Sequence, residues 1–323
     1  MTIPVLKQTL QQYPQLRILL VTQQQFKPLC TGIERLDFFG ADLKGRHAGV
    51  IGIFRLFMDI RKGATVHLVA DLHGVLRAFL LTLLFKVSGA SAAHINKGRF
   101  QKWQLTRRWL KVVNPLPTTF DRYRVVLAKL GFATVSDALQ EQDSITLRVS
   151  TPANGPFSIG VAPFAKHPEK MLPLSKLLDT ITALQEQIPC TIYLFGAPGR
   201  EAEILNEWTS KYPQLINMAV GHTLEEELET MKQLDLLIAM DSANMHLASL
   251  FSVPVISIWG ATHPYAGFLG WGQSIELVIQ AELPCRPCSV YGNKKCYRGD
   301  WACLNAIQPT EIVQKVRSYL CQA

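Results

Sequence analysis

The sequence predicts an α/β protein of two Rossmann-like domains, and three observations carry that prediction. A chain of 323 residues favours two domains of roughly 150 residues. Apolar runs of strand length alternate with segments of helical period, as in βαβ units. The stretch 234–264, LDLLIAMDSANMHLASLFSVPVISIWGATHP, condenses that pattern into strand, turn, helix, strand. In it Leu234 to Met240 is an apolar strand, and Asp241 and Ser242 are helix N-cap types. Met245, Leu247, Ala248, Leu250 and Phe251 suit one short buried helix over 244–251. Val253-Pro254 stops it, and Val255 to Trp259 is the next strand. Such a unit aims free backbone N–H groups at the carboxyl edge of a parallel sheet, where anions bind.

The chain opens with a helix, MTIPVLKQTLQQYP, followed by the strand LRILLVT. A helical stretch over 49–61 leads to a strand over 65–70, which ends in Asp71-Leu72-His73-Gly74. Polar groups at the carboxyl end of such a strand face the cleft of a two-domain α/β protein, so Asp71, His73 and Arg77 are candidate contacts there. Residues 75–87 form the longest apolar segment, broken by Arg77 and Lys86. It falls short of the roughly 18 apolar residues a membrane span needs and reads as a buried helix. Tyr123, Val126, Leu127 and Leu130 predict a helix over 121–139. The Pro-, Asn- and Gly-containing run 143–157 reads as a linker, with the boundary near 153: a first domain 1–153 and a second 154–323.

The second domain is expected to hold a strand over 158–162, the loop PFAKHPEK, a helix over 174–187 and a strand over 190–195. A glycine-containing turn, FGAPGREAE, follows, and Thr223 is the expected N-cap of a further helix. Ile312, Val313, Val316 and Tyr319 put a terminal helix over 309–320.

Charge is uneven. Residues 1–155 hold 21 Lys+Arg against 9 Asp+Glu, a balance of +12, and the remainder is −4, giving the net +8. A basic first half suits an anionic partner. Lys97 to Lys111, KGRFQKWQLTRRWLK, interleaves cations with Trp103 and Trp109, a composition that serves nucleic acid, phosphorylated lipid or a membrane surface. With no secretory signal at its head, the chain is expected in the cytoplasm, with peripheral contact at the inner membrane face.

The string D-S-A-N-M-H-L-A, then V-P-V, then W-G-A-T-H-P, closely resembles the donor-site signature of glycosyltransferase family 9, the ADP-heptose:lipopolysaccharide heptosyltransferases. Ala243 and Ser252 stand where that signature carries glycine. The resemblance spans nearly the whole chain and is strongest over 158–320. It implies a GT-B architecture, two Rossmann-like domains with a cleft between them, and a terminal helix crossing back to the first domain. It implies transfer of a heptose from ADP-heptose, a nucleotide-sugar donor, to an anionic glycolipid acceptor with inversion. No cofactor, metal or nucleic acid is implied.

By the same resemblance, Lys170, in the frame Lys170-Met171-Leu172-Pro173, neutralises the donor diphosphate as a point charge, with Lys166 as a second candidate. Glu201, or Glu203 in the alternative register, accepts the ribose hydroxyls, and His222 touches the base. Asp241 and the N–H groups of Ser242, Ala243 and Asn244 cradle the diphosphate, while His246 lies on the same helix face as Ser242. Asp71, His73 and Arg77 become acceptor contacts. Family members open on a strand and an S-x-x-G-D loop whose aspartate acts as base, and the resemblance aligns this chain from just after that loop. The catalytic base is then open between His73, since a histidine exchanges protons near neutral pH, and Asp71. The alternative is an inactive homologue that binds nucleotide sugar only.

Four of seven cysteines, Cys285, Cys288, Cys296 and Cys303, are spaced C-x2-C-x7-C-x6-C. In a reducing compartment that spacing suits a tetrahedral zinc site better than disulfides, and flanking Arg286, Lys294, Lys295 and Arg298 favour thiolates.

Overall fold

The structure, a computed structural model, describes residues 1–134 and 155–321. They divide into two compact units, the first holding Met1–Arg99 and 117–134, the second 100–116 and 155–321. The expected boundary near 153 lies outside the described residues, and 100–116 groups with the second unit.

The first unit runs α1 (Thr2–Gln12), β1 (Ile18–Thr22), β2 (Leu36–Gly40), α2 (Gly49–Gly63), β3 (Leu68–Asp71), α3 (Leu76–Val87) and β4 (Ser91–His94). After α4 (Arg99–Thr106), which lies almost wholly in the second unit, α5 (Thr119–Lys129) returns to it. Its strands form two separate parallel pairs, β1 with β2 and β3 with β4. Both pairs share one core: Leu19, Val21, Phe39 and Val69 pack against Leu56, Phe57 and Ile60 of α2 and Phe85 of α3. The turn from α1 to β1 is held from β2's side. Arg35, at φ +63, donates through its guanidinium to the carbonyls of Tyr13, Pro14, Leu16 and Leu10.

Two expectations in this unit are corrected. The helix expected over 121–139 ends at Lys129. Gly131 is left-handed, and Phe132 N–H donates back to Leu127 O at 3.0 Å, the closed C-terminal turn that glycine permits. The helix expected to be buried over 75–87 is α3, and only one side of it is. Thr82 and Phe85 face the core, while Leu76, Phe79, Leu83 and Val87 face solvent.

The second unit continues with β5 (Phe157–Ala162), α6 (Leu174–Gln187), β6 (Cys190–Leu194), α7 (Arg200–Lys211), β7 (Leu215–Asn217) and α8 (Leu224–Lys232). It closes with β8 (Leu236–Met240), α9 (Ala243–Ser249), β9 (Val255–Trp259), β10 (Val278–Gln280), α10 (Ala302–Asn305) and α11 (Pro309–Leu320). Its six strands form one parallel sheet in the order β10-β9-β8-β5-β6-β7.

Both faces of the sheet are covered, which is why its strands read as continuous apolar runs. Alternation within β8 shows the division. Leu236, Ile238 and Met240 enter a core with Leu177, Ile181 and Leu184 of α6, whereas Leu237 and Ala239 enter another with Met231, Met245 and Ala248. The terminal helix, expected to cross back, packs in the second unit against α6 through Ile312, Val313 and Val316. Lys176 fixes its approach by donating to Asn305 O and Ile307 O. Among the described residues no helix is long and apolar enough to cross a membrane.

Candidate functional site

From β5 the chain builds the sheet outward through β6 and β7, then returns to place β8 on the other flank of β5. The carboxyl ends of β5 and β8 therefore bound the switch point where open parallel sheets bind ligands. Two sequence-predicted residues meet there. Lys170, in a short 3-10 turn over Pro168–Lys170 after β5, places Nζ 2.9 Å from Asp241 Oδ2 at the end of β8. Their side chains are 13% and 7% exposed, so each charge depends on the other.

Backbone and side-chain bonds from three loops fix this pair. Thr262 Oγ1 donates to Asp241 Oδ2 at 2.9 Å. Ala261 N–H donates to Glu169 O at 3.0 Å, and Leu172 N–H to Met240 Sδ at 3.3 Å. The loop after β9 is held from beneath by buried Arg286, which donates to Gly260 O, Thr262 O (2.9 Å) and Ala281 O, and to Gln280 Oε1 (3.1 Å). Close approach demands glycine twice. A Cβ at Gly260 would meet Glu169 O at 2.7 Å, and one at Gly292, φ +76, would overlap the Lys170 stem.

Beside the pair, Ser242 Oγ and His246 Nδ1 are buried without a hydrogen-bond partner. Buried polar atoms are nearly always paired, so two unpaired ones at a switch point leave capacity for a polar ligand. Burial lowers the His246 pKa to about 3, with the Lys170 charge acting in the same direction, so its imidazole is neutral. Ala243 opens α9 and is exposed, and Asn244 is half-buried behind it.

The remaining predicted residues are spread over other loops. Glu201, in the first turn of α7, accepts the Ala197 N–H on Oε2 at 2.7 Å, which leaves Oε1 available. Glu203, Lys166 and His222 are exposed, and His222 precedes the Thr223–Glu226 capping box that starts α8. In the first unit, Asp71 is buried and structural in part. Its Oδ1 accepts the N–H groups of His73 (3.0 Å) and Gly74 (2.7 Å), and Oδ2 lies 3.4 Å from His94 Nδ1. His73 and Arg77 are exposed.

Sequence reasoning missed Thr262, Arg286 and His94. Only the small W-G-A-T-H-P loop after an apolar strand hinted at Thr262, and nothing local marked the loop-holding role of Arg286, since its partners Gly260 O and Thr262 O come from distant positions.

Cys285, Cys288, Cys296 and Cys303 line one small cavity with Arg286 and Trp301. Yet all are free thiols, and among the described residues no group of three or more His, Cys, Asp or Glu is arranged to hold a metal ion. At Cys288 and Cys303 burial outweighs the basic flank. Burial raises the pKa of Cys288, and carries that of Cys303 to about 11 against the pull of Arg286.

The profile of glycosyltransferase family 9 (heptosyltransferase) matches residues 62–297. The chain belongs to that family. Two curated relatives, both named lipooligosaccharide heptosyltransferase 2, come from Campylobacter jejuni strains. One is 24% identical over 133 residues and the other 22% over 130 residues. Each alignment spans 40% of the relative's length, and 40% and 39% of this chain.

Solved structures extend the likeness of fold. Escherichia coli ADP-heptose lps heptosyltransferase II aligns over 99% of this chain and 94% of its own (TM-score 0.66, 16% identity). A family 9 glycosyltransferase from Veillonella parvula aligns over 100% and 93% (TM-score 0.70, 17% identity). E. coli heptosyltransferase WaaC with ADP aligns over 98% and 95% (TM-score 0.67, 17% identity). The fold of this family 9 chain is thus the α/β GT-B type expected from its sequence.

Proposed function

We propose that this chain transfers a sugar, a heptose, from an ADP-sugar to a hydroxyl of an anionic lipopolysaccharide-type core, at the cytoplasmic side of a membrane. The observation that carries the reading is the Lys170–Asp241 pair at the switch point, with unpaired Ser242 Oγ beside it. Family membership and the relatives' names support the sugar and the acceptor class.

In this reading Lys170 supplies the positive charge that the departing diphosphate needs, and the Ser242 hydroxyl donates to a phosphate oxygen. Asp241, oriented by Thr262, keeps the ammonium in place. Glu201 Oε1 accepts from the ribose, and His222 lies against the base. The acceptor oxygen bonds to the anomeric carbon as the bond from that carbon to the phosphate oxygen breaks, with inversion. The acceptor proton goes to a base. His73 is the better candidate, because Asp71 Oδ1 already accepts two backbone N–H groups. Arg77 offers charge to an acidic acceptor.

That state of Asp71 also favours a second reading, a protein that binds the nucleotide sugar without transferring it. The test is ADP release from ADP-heptose with and without a core glycolipid. Acceptor-dependent release, lost in His73→Ala with ADP binding intact, supports transfer. Binding without acceptor-dependent release supports the second reading.

A further inference from the structure

On α2 the core side chains are Ile53, Leu56, Phe57 and Ile60. At 100° per residue, Val50, Ile51, Phe54 and Met58 fall together on the neighbouring arc of about 100°. All four are exposed, Val50 at 73% and Ile51 at 72%. On α3, Leu76, Phe79, Leu83 and Val87 fall within an arc of about 80°, with Leu76 at 74% and Val87 at 82% exposure. The two helices lie side by side, Phe57 and Phe85 meeting edge to face at 4.9 Å. A surface helix ordinarily turns polar residues outward. Two neighbouring helices with eight large apolar side chains outward form a patch that marks an interaction site.

The charges on the same helices identify the partner. Arg55, Arg61, Lys62, Arg77 and Lys86 are exposed. The single acid, Asp59, is already engaged by Arg46, His47 and Lys62. Among the described residues no acid lies within ion-pair distance of Arg55, Arg61, Arg77 or Lys86. A second copy would set these cations against one another. An anionic bilayer complements them, and its headgroup boundary accepts the apolar side chains.

We propose that the outer face of α2 and α3 docks this protein onto an anionic lipid bilayer. The proposal rests on the membrane-side placement in the proposed function, naming the surface that makes the contact, and needs no feature of the Lys170–Asp241 site.

The test is co-sedimentation of the full chain with vesicles of phosphatidylglycerol and phosphatidylethanolamine, against phosphatidylcholine. The expected result is at least tenfold stronger partition to the anionic vesicles. Combining Phe54→Ser, Leu83→Ser and Val87→Ser should lower that partition at least tenfold at an unchanged melting temperature. Arg55→Glu with Lys86→Glu should abolish the anionic preference. Equal partition of wild type to both vesicles, or undiminished partition of the serine variant, overturns the proposal. So does a wild-type dimer in sedimentation velocity that the serine variant splits. ADP titration of the same variants, expected to be unchanged, separates this outcome from failure of the donor site.

Discussion

Lys170 Nζ and Asp241 Oδ2 stand 2.9 Å apart near the carboxyl ends of β5 and β8, both largely withdrawn from water. Removing one partner leaves a buried charge uncompensated, which costs more than the pair itself contributes. Lys170→Ala should therefore destabilise the fold by about 3 kcal/mol and lower ADP affinity at least tenfold. Lys170→Arg should retain stability better than affinity, because the fork does not reproduce a compact ammonium. Chemical denaturation and calorimetry check the two effects separately.

Of the two positions where the family signature carries glycine, the left-handed one is Ser252, φ +58, and Ala243 starts α9 with ordinary helical backbone. Val253 N–H closes the helix end onto Ala248 O at 3.2 Å, the arrangement that seats glycine at the residue before it. An L-residue there costs about 1 kcal/mol, partly offset by the unfolded-state freedom glycine adds. Ser252→Gly should raise stability by about 0.5 kcal/mol, roughly 1–2 °C in Tm. Ala243→Gly should give no gain and a loss of up to about 1 kcal/mol. Thermal melts of both variants decide it.

Much of the second unit was legible in sequence. Its strands are apolar on both faces, so β5, β8 and β9 announced themselves, and α6 and α11 have the expected bounds. Lys170 and Asp241 were visible through the ordered string around them. Short strands such as β2, β4, β7 and β10, three to five residues each, carry too little period to be seen. The α3 stripe was misread because an all-apolar helix looks buried. Its periodicity identifies faces but cannot say whether a neighbour covers the outer one. Arg286 and Thr262 escaped because their roles exist only after folding brings the loop after β9 against the end of β8.

Arg286 organises that loop through four acceptors while buried. Arg286→Lys should cost about 2–3 kcal/mol, since one ammonium cannot serve the carbonyls the fork reaches and leaves some of them unpaired. Because Thr262 is carried by the same loop, ADP affinity should fall too, although Arg286 touches no predicted ligand residue. Denaturation midpoints and titrations of the variant measure both.

Acid should weaken the fold from the ordinary histidine range downward. Burial lowers the pKa of His263 to about 4, with Arg286 adding to the effect, and that of His246 to about 3. Their folded values lie below the ordinary histidine value near 6.5, so the unfolded chain takes protons that the folded chain refuses. The stability they contribute is complete above about pH 6.5 and is lost as pH falls toward 4 and then 3, at about 1.4 kcal/mol per pH unit for each group. His263→Asn should flatten part of that slope in Tm measured from pH 7 to 4. An unchanged slope would sink this explanation.

In the proposed function, the Lys170–Asp241 pair of the second unit holds a nucleoside diphosphate of the adenine class. Parallel calorimetric titration of the chain with ADP, UDP and GDP tests it most directly. The expected result is preferential ADP binding that Lys170→Ala and Asp241→Ala both remove while each variant remains folded. Binding of none of the three by the folded wild-type chain, or ADP binding that survives both substitutions, would contradict it.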